Sequence, residues 1–185
     1  MKTVYLIRHG LPDFPGGVRM CLGRTDLPLC EEGFRQARQA AEVLAGLPIT
    51  NVFSSPLKRA VQTAQALGKP VEILEGLQEL DAGAWDGLNF DDIRAQFPEL
   101  YAARGKDPSL SLPGSEPLEQ GLARFRSAME QAEQRSAGDF AVYAHGGIIS
   151  LFLEAVSGRA YKPGYCEILR LTAENGQFTW QEGEK

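Results

Sequence analysis

Two short apolar runs in this chain end the same way. Val4-Tyr5-Leu6-Ile7 passes through Arg8 into His9-Gly10, and Val142-Tyr143-Ala144 passes into His145-Gly146. These are the only two histidines among 185 residues. Both runs read as buried strands. In an open α/β sheet, ligands bind in the crevice beyond the carboxyl ends of the strands. If the two strands lie side by side and parallel, both imidazoles face one crevice.

The segments between them alternate in the way an α/β sheet requires. After residues 3–7 comes a Gly- and Pro-containing loop from Gly10 to about Leu29, then a helix over Glu31 to Ala45 with Phe34, Ala37, Ala41 and Leu44 on one face. Gly46 and Pro48 stop it. Asn51 to Phe53 is a second strand. Ser54-Ser55-Pro56 then opens a helix through Arg59, Thr63 and Leu67, with a serine cap ahead of a first-turn proline. Val71 to Leu74 is a third strand. Residues 75–115 are irregular, a lid or substrate-selecting insertion with a short helix at Asp91 to Phe97. A long helix over about Glu116 to Arg135 carries the stripe Leu118, Leu122, Phe125, Met129 and Ala132. Phe140 to Ala144 is the fourth strand, followed by an apolar helix through Val156. Cys166 to Leu171 and Gln177 to Gln181 pair as a hairpin. The alternation predicts a three-layer αβα sandwich with a mainly parallel central sheet, as a single domain over residues 1–185.

Composition narrows the function. Apolar residues make up 43% and charged residues 23%, ordinary for a globular domain, and the formal net charge of −5 argues against a nucleic-acid surface. The apolar stretches fall far short of the ~20 residues of a membrane span. Arg8 and His9 interrupt the N-terminal apolar run too early for a secretory signal. Three cysteines (Cys21, Cys30 and Cys166) form no CxxC pair and read as free thiols, which places the chain in the cytoplasm. Cys21 reads as a packed thiol near His9. No ligand cluster suggests a metal.

Chemistry concentrates in four segments. Arg8 at the end of an apolar strand needs an anionic partner or an exit to water. Gly10, Gly146 and Gly147 permit close backbone approach, and the helix after Gly147 offers free N–H groups to an anion. Arg59, on the first turn of its helix, has the planar fork that suits phosphate. Glu79-Leu80-Asp81-Ala82-Gly83-Ala84-Trp85-Asp86-Gly87 supplies carboxylates. A carboxyl in a partly dry pocket has a raised pKa and serves as a general acid. Periodicity does not choose among Glu79, Asp81 and Asp86, although Asp86 before Gly87 reads as a turn former.

Arg8-His9-Gly10 after the first strand, Ser54 to Ala64, Glu79 to Gly87, and His145-Gly146 together resemble, in order, the histidine phosphatase superfamily, which includes phosphoglycerate mutases. The resemblance covers nearly the whole chain and implies a phosphoglycerate mutase-like fold. It implies that His9 is the nucleophile, that Arg8, Arg59 and His145 hold the phosphoryl oxygens with Gly146 and Gly23 nearby, and that Glu79 is the acid. Leu11, Pro12, Pro15 and Cys30 depart from the family's usual residues. The implied activity is that of a phosphoric monoester hydrolase of histidine acid phosphatase type. Its substrate would be a small phosphorylated metabolite, as in α-ribazole-phosphatase-like members, with no cofactor. A phosphoglycerate mutase or an inactive phospho-ligand binding protein is the alternative. The C-terminal strands offer an edge for a homodimer.

Overall fold

In strand β1 (Lys2–Arg8), Val4 and Leu6 point to one side of the sheet, and Tyr5 and Ile7 to the other. All four are buried, as a strand covered on both faces requires. The computed structural model describes residues 1–180. The remaining strands are β2 (Asn51–Ser54), β3 (Val71–Ile73), β4 (Phe140–Ala144), β5 (Ile168–Glu174) and β6 (Gln177–Trp180), and the sheet order is β3-β2-β4-β1-β5-β6. The first four in that order run parallel; β5 and β6 are antiparallel additions at one edge.

Helices cover both faces. On one side α1 (Glu31–Ala45) and α2 (Lys58–Gln65) contribute Leu44 and Ala64 against Tyr5, Ile7, Val52 and Tyr143. On the other, α5 (Leu118–Arg135) and α6 (Gly146–Ser157) pack Phe125, Met129, Ile149 and Phe152 against Leu6, Phe53 and Val142. Each such side chain stabilises the fold by about 1.5–3 kcal/mol relative to exposure. The expected αβα sandwich with a mainly parallel sheet is the architecture found.

Several local readings change. The α1 stripe omits Phe34, which is 37% exposed, and uses Gly33 and Ala40 instead. Cys30, not Ser or Thr, caps α1, its Sγ accepting the Gly33 N–H at 3.4 Å. Helix α2 does not start at Pro56. It begins at Lys58 with no side-chain cap, and the Ser55 hydroxyl accepts only the Leu57 N–H, in the turn ahead of the helix. Long helix α5 starts at Leu118 rather than Glu116. Strand β5 starts at Ile168, since Cys166 adopts a left-handed φ of 55° and donates its N–H to the Arg8 carbonyl. Gln181, predicted as the end of the last strand, lies outside the described residues.

Residues 75–115 hold two helices, α3 (Phe90–Gln96) and α4 (Pro98–Lys106). The first matches the expected short helix, and the second was not anticipated. It buries no residue, so it leaves no apolar stripe to read. Its signals were Pro98 and Glu99 in the first turn and Arg104 and Lys106 in the last. Trp85, Ile93 and Leu112 form a small separate core under these helices.

Candidate active site

The β1–β4 register aligns Arg8 with Ala144, so His9 and His145 are each one step past the paired strands. The His9 N–H donates to the Ala144 carbonyl at 3.0 Å, and the two imidazole centroids are 5.1 Å apart. Both rings are buried, His9 at 5% exposure and His145 at 0%.

Their hydrogen bonds differ. His9 Nδ1 lies 2.7 Å from the Gly10 carbonyl, which only accepts. The ring proton is therefore assigned to Nδ1, and Nε2 keeps its lone pair in the neutral form. His145 Nε2 lies 2.7 Å from Ser55 Oγ. Ser55 Oγ also accepts the Leu57 N–H at 3.3 Å. The buried Ser55 hydroxyl has His145 Nε2 as the acceptor within reach, which assigns the His145 proton to Nδ1 and makes that atom a donor. Burial, then the charge of Arg59, holds both imidazoles well below the usual histidine pKa of 6.5. Both are neutral at pH 7.

Two arginines flank the pair. Arg8 Nη1 donates to the Pro163 carbonyl at 2.8 Å, and its guanidinium sits 4.0 Å over the Tyr165 ring. Arg59 is completely buried. Its Nη1 and Nη2 donate to the Thr25 and Gly23 carbonyls, each at 2.8 Å. The loop bearing those carbonyls is clipped in turn by Asp86, which accepts the N–H groups of Gly23, Arg24 and Thr25. Asp86 thus forms the expected turn with Gly87, closed by the Leu88 N–H on the Trp85 carbonyl at 3.1 Å, and its carboxylate also braces a distant loop. Arg8 Nε, Arg59 Nε and His145 Nδ1 are buried without a hydrogen-bond partner among the described residues. Such a group costs ~1–3 kcal/mol when left unpaired, so three of them in one constellation call for an explanation.

Glu79 is held from three directions. Its Oε1 accepts from the Leu80 and Ile148 N–H groups, and its Oε2 from Gly147 N–H, at 2.8–2.9 Å. The group that receives the free N–H groups at the start of α6 is therefore the Glu79 carboxyl. A Cβ on Gly147 would lie 2.8 Å from Glu79 Oε1, and one on Gly146 would lie 3.0 Å from Arg8 Nε, so a side chain at either position presses on a site residue. From α5, Arg124 donates to the Gly76, Gln78 and Glu79 carbonyls and fixes the Glu79 backbone.

A crevice of about 180 Å³ opens over this group, and its walls include Arg8, His9, Glu79, Gly146 and Gly147. Arg59 and His145, completely buried, lie behind that lining. Gly23 also stays out of the crevice, with its N–H on Asp86 and its carbonyl on Arg59. Cys21 does line the crevice, but burial first and the nearby Asp86 charge next push its thiol up to about 11, so it stays protonated. Among the described residues no group of His, Cys, Asp and Glu is placed to hold a metal ion, and no helix is long and apolar enough to cross a membrane.

Residues 4–183 match the histidine phosphatase superfamily (branch 1). The chain belongs to the histidine phosphatase superfamily. A glucosyl-3-phosphoglycerate phosphatase of Mycolicibacterium vanbaalenii is 31% identical over 170 residues, covering 85% of this chain and 75% of that protein. The structure of a mycobacterial glucosyl-3-phosphoglycerate phosphatase complexed with VO3 superimposes with a TM-score of 0.84 at 28% identity, over 98% of this chain and 97% of that one. The α-ribazole phosphatase of Shigella flexneri shares the fold, with a TM-score of 0.81 at 22% identity over 97% and 94% of the two chains. Six curated relatives are much longer: the chain spans 36% of three of them and 28% of three others.

Among the residues singled out in the sequence, this histidine phosphatase brings Arg8, His9, Glu79 and Gly146 to the crevice and packs Arg59 and His145 behind them. Two neighbours escaped notice. Ser55 reads as a helix cap, and it both accepts the Leu57 N–H and bonds His145. Tyr165, which stacks under Arg8 and lies 5.8 Å from the His9 ring, carries no motif that would reveal it.

Proposed function

We propose that this chain is a phosphomonoesterase of histidine acid phosphatase type, acting as one domain on a small phosphorylated metabolite through a phosphohistidine on His9. The observation that carries the reading is the His9 hydrogen bond to Gly10, which leaves a neutral Nε2 lone pair facing a crevice ringed by cationic and donor groups.

In the first step His9 Nε2 forms a bond to phosphorus as the ester P–O bond breaks. Glu79 gives its proton to the departing alcohol oxygen. A carboxylate has about four lone-pair sites, and three are taken by backbone N–H groups, two on Oε1 and one on Oε2. The transferable proton belongs on Oε2. In the second step Glu79 takes a proton from water, whose oxygen attacks phosphorus. The P–N bond breaks, phosphate leaves and His9 regains its lone pair. Arg8, Arg59 and the His145 Nδ1–H stabilise the charge on the phosphoryl oxygens, the main protein contribution to such a transfer. The depressed pKa values of His9 and His145 keep both rings neutral into mildly acidic solution, which supports the acid phosphatase assignment.

The test is rapid quenching after mixing with a phosphate-labelled aryl ester. Wild type should carry acid-labile label, His9→Ala none, and Glu79→Gln more than wild type, because its second step lacks a base. Equal labelling of wild type and His9→Ala would overturn the proposal.

A further inference from the structure

Next to the crevice lies a second chamber of about 290 Å³. The two share Cys21, Leu22, Glu79, Phe90 and Gly147, but His9 borders only the first. An in-line transfer places the leaving oxygen opposite the attacking nitrogen, and the acid must touch that oxygen. With His9 as nucleophile and Glu79 as acid, the leaving group departs on the side of Glu79 away from His9, into this chamber.

The chamber walls are mostly apolar, with Leu22, Trp85, Phe90, Leu110, Leu112 and Leu118 among them. The charged groups it includes are engaged. Glu116 pairs with Arg124, and Asp81 Oδ1 accepts the Gly83 N–H. Arg104, the single cation in the lining, donates to the Leu110 carbonyl at 2.6 Å and lies 5.6 Å over the Trp85 ring. Glu79, Asp81 and Glu116 would face any second anion on the substrate. Arg8, Arg19 and Lys162 line the His9 crevice and are absent from the chamber lining, and Arg24 and Arg124 pair with Glu116 from outside that lining.

We infer that the substrates are phosphomonoesters with an apolar, uncharged leaving group seated in the chamber over Trp85 and Leu110, and that leaving groups carrying a second phosphate or a carboxylate are rejected there. The inference rests on the phosphatase reading proposed for this site.

A series of linear alkyl phosphates, butyl to octyl and below their aggregation limit, tests it, because leaving-group acidity is nearly constant along the chain. Burial of one methylene is equivalent to about a fourfold gain in affinity. We therefore expect kcat/KM to rise about three- to fourfold per methylene until the chamber is full. The same chains ending in carboxylate should be at least tenfold poorer than their methyl-ended counterparts. Leu110, 37% exposed, tolerates substitution, and Leu110→Arg should flatten the methylene series and favour the carboxylate-ended esters. A flat series in wild type, or better turnover of the carboxylate-ended esters, would overturn this inference while His9 labelling and turnover persisted. Failure of every ester together with no label on His9 would overturn the phosphatase reading and this inference with it.

Discussion

His9 and His145 end neighbouring parallel strands in nearly the same local sequence, yet their surroundings divide them. His9 is anchored through Nδ1 to a carbonyl of its own chain segment and lines the crevice. His145 is anchored through Nε2 to Ser55, which directly follows the neighbouring strand β2, and is wholly buried. One ring presents a lone pair, and the other presents a donor hydrogen. Strand position brings an imidazole to the site; the partner on its far nitrogen decides what that imidazole can do.

The contrast is open to direct attack. The largest expected effect is from His9→Ala, which should cut turnover by on the order of 10⁴-fold or more, as loss of a nucleophile does. His145→Ala should cost less, about 10²–10³-fold, the usual effect of removing one charge-stabilising donor. It should still form phosphoenzyme, slowly. Phosphoenzyme in His9→Ala and none in His145→Ala would reverse the two roles.

Ser55→Ala should be milder. It removes the hydroxyl that sets the His145 proton, and kcat should fall about tenfold, equal to ~1.4 kcal/mol of barrier. Because the chain has two histidines, ¹⁵N spectra resolve them. Wild type should show His145 protonated on Nδ1, and Ser55→Ala should show a mixture of tautomers. An unchanged tautomer would remove Ser55 from the comparison.

The smallest effect is one the two rings share. Each is held well below 6.5, so neither should titrate near that value in the ligand-free protein. Below about pH 6.5 the unfolded chain binds protons that the native state refuses. Their contribution to stability is thus complete above 6.5 and is lost as the pH falls toward the folded pKa values. Chemical denaturation at pH 7 and pH 5 should give the lower midpoint at pH 5. A histidine resonance titrating at 6.5 would show that its ring is not desolvated.

Much of this was legible in the residues. The apolar runs that form β1 and β4, the period of α1 and α5, and the His-Gly endings all express local geometry and burial on both sheet faces. Helix α4 was not legible, because a helix that buries nothing has no hydrophobic period. Helix α2 starts two residues after the Ser55-Pro56 signal, and the second use of the Ser55 hydroxyl, toward His145 ninety residues away, has no local sign. Asp86 reads as a turn residue and is one, but the three N–H groups its carboxylate accepts, from residues more than sixty positions earlier, leave no local sign.

The sequence by itself determined the α/β architecture and the residue types at the strand ends, since these follow from patterns within one element. Only the tertiary structure decided that Glu79, among three nearby carboxylates, reaches the crevice. It alone decided that Glu79 occupies the start of α6, that the two imidazoles are anchored through opposite nitrogens, and that an apolar chamber adjoins the acid. Each of those depends on which backbone or hydroxyl groups from distant segments arrive at the same few ångströms, and no local period encodes that.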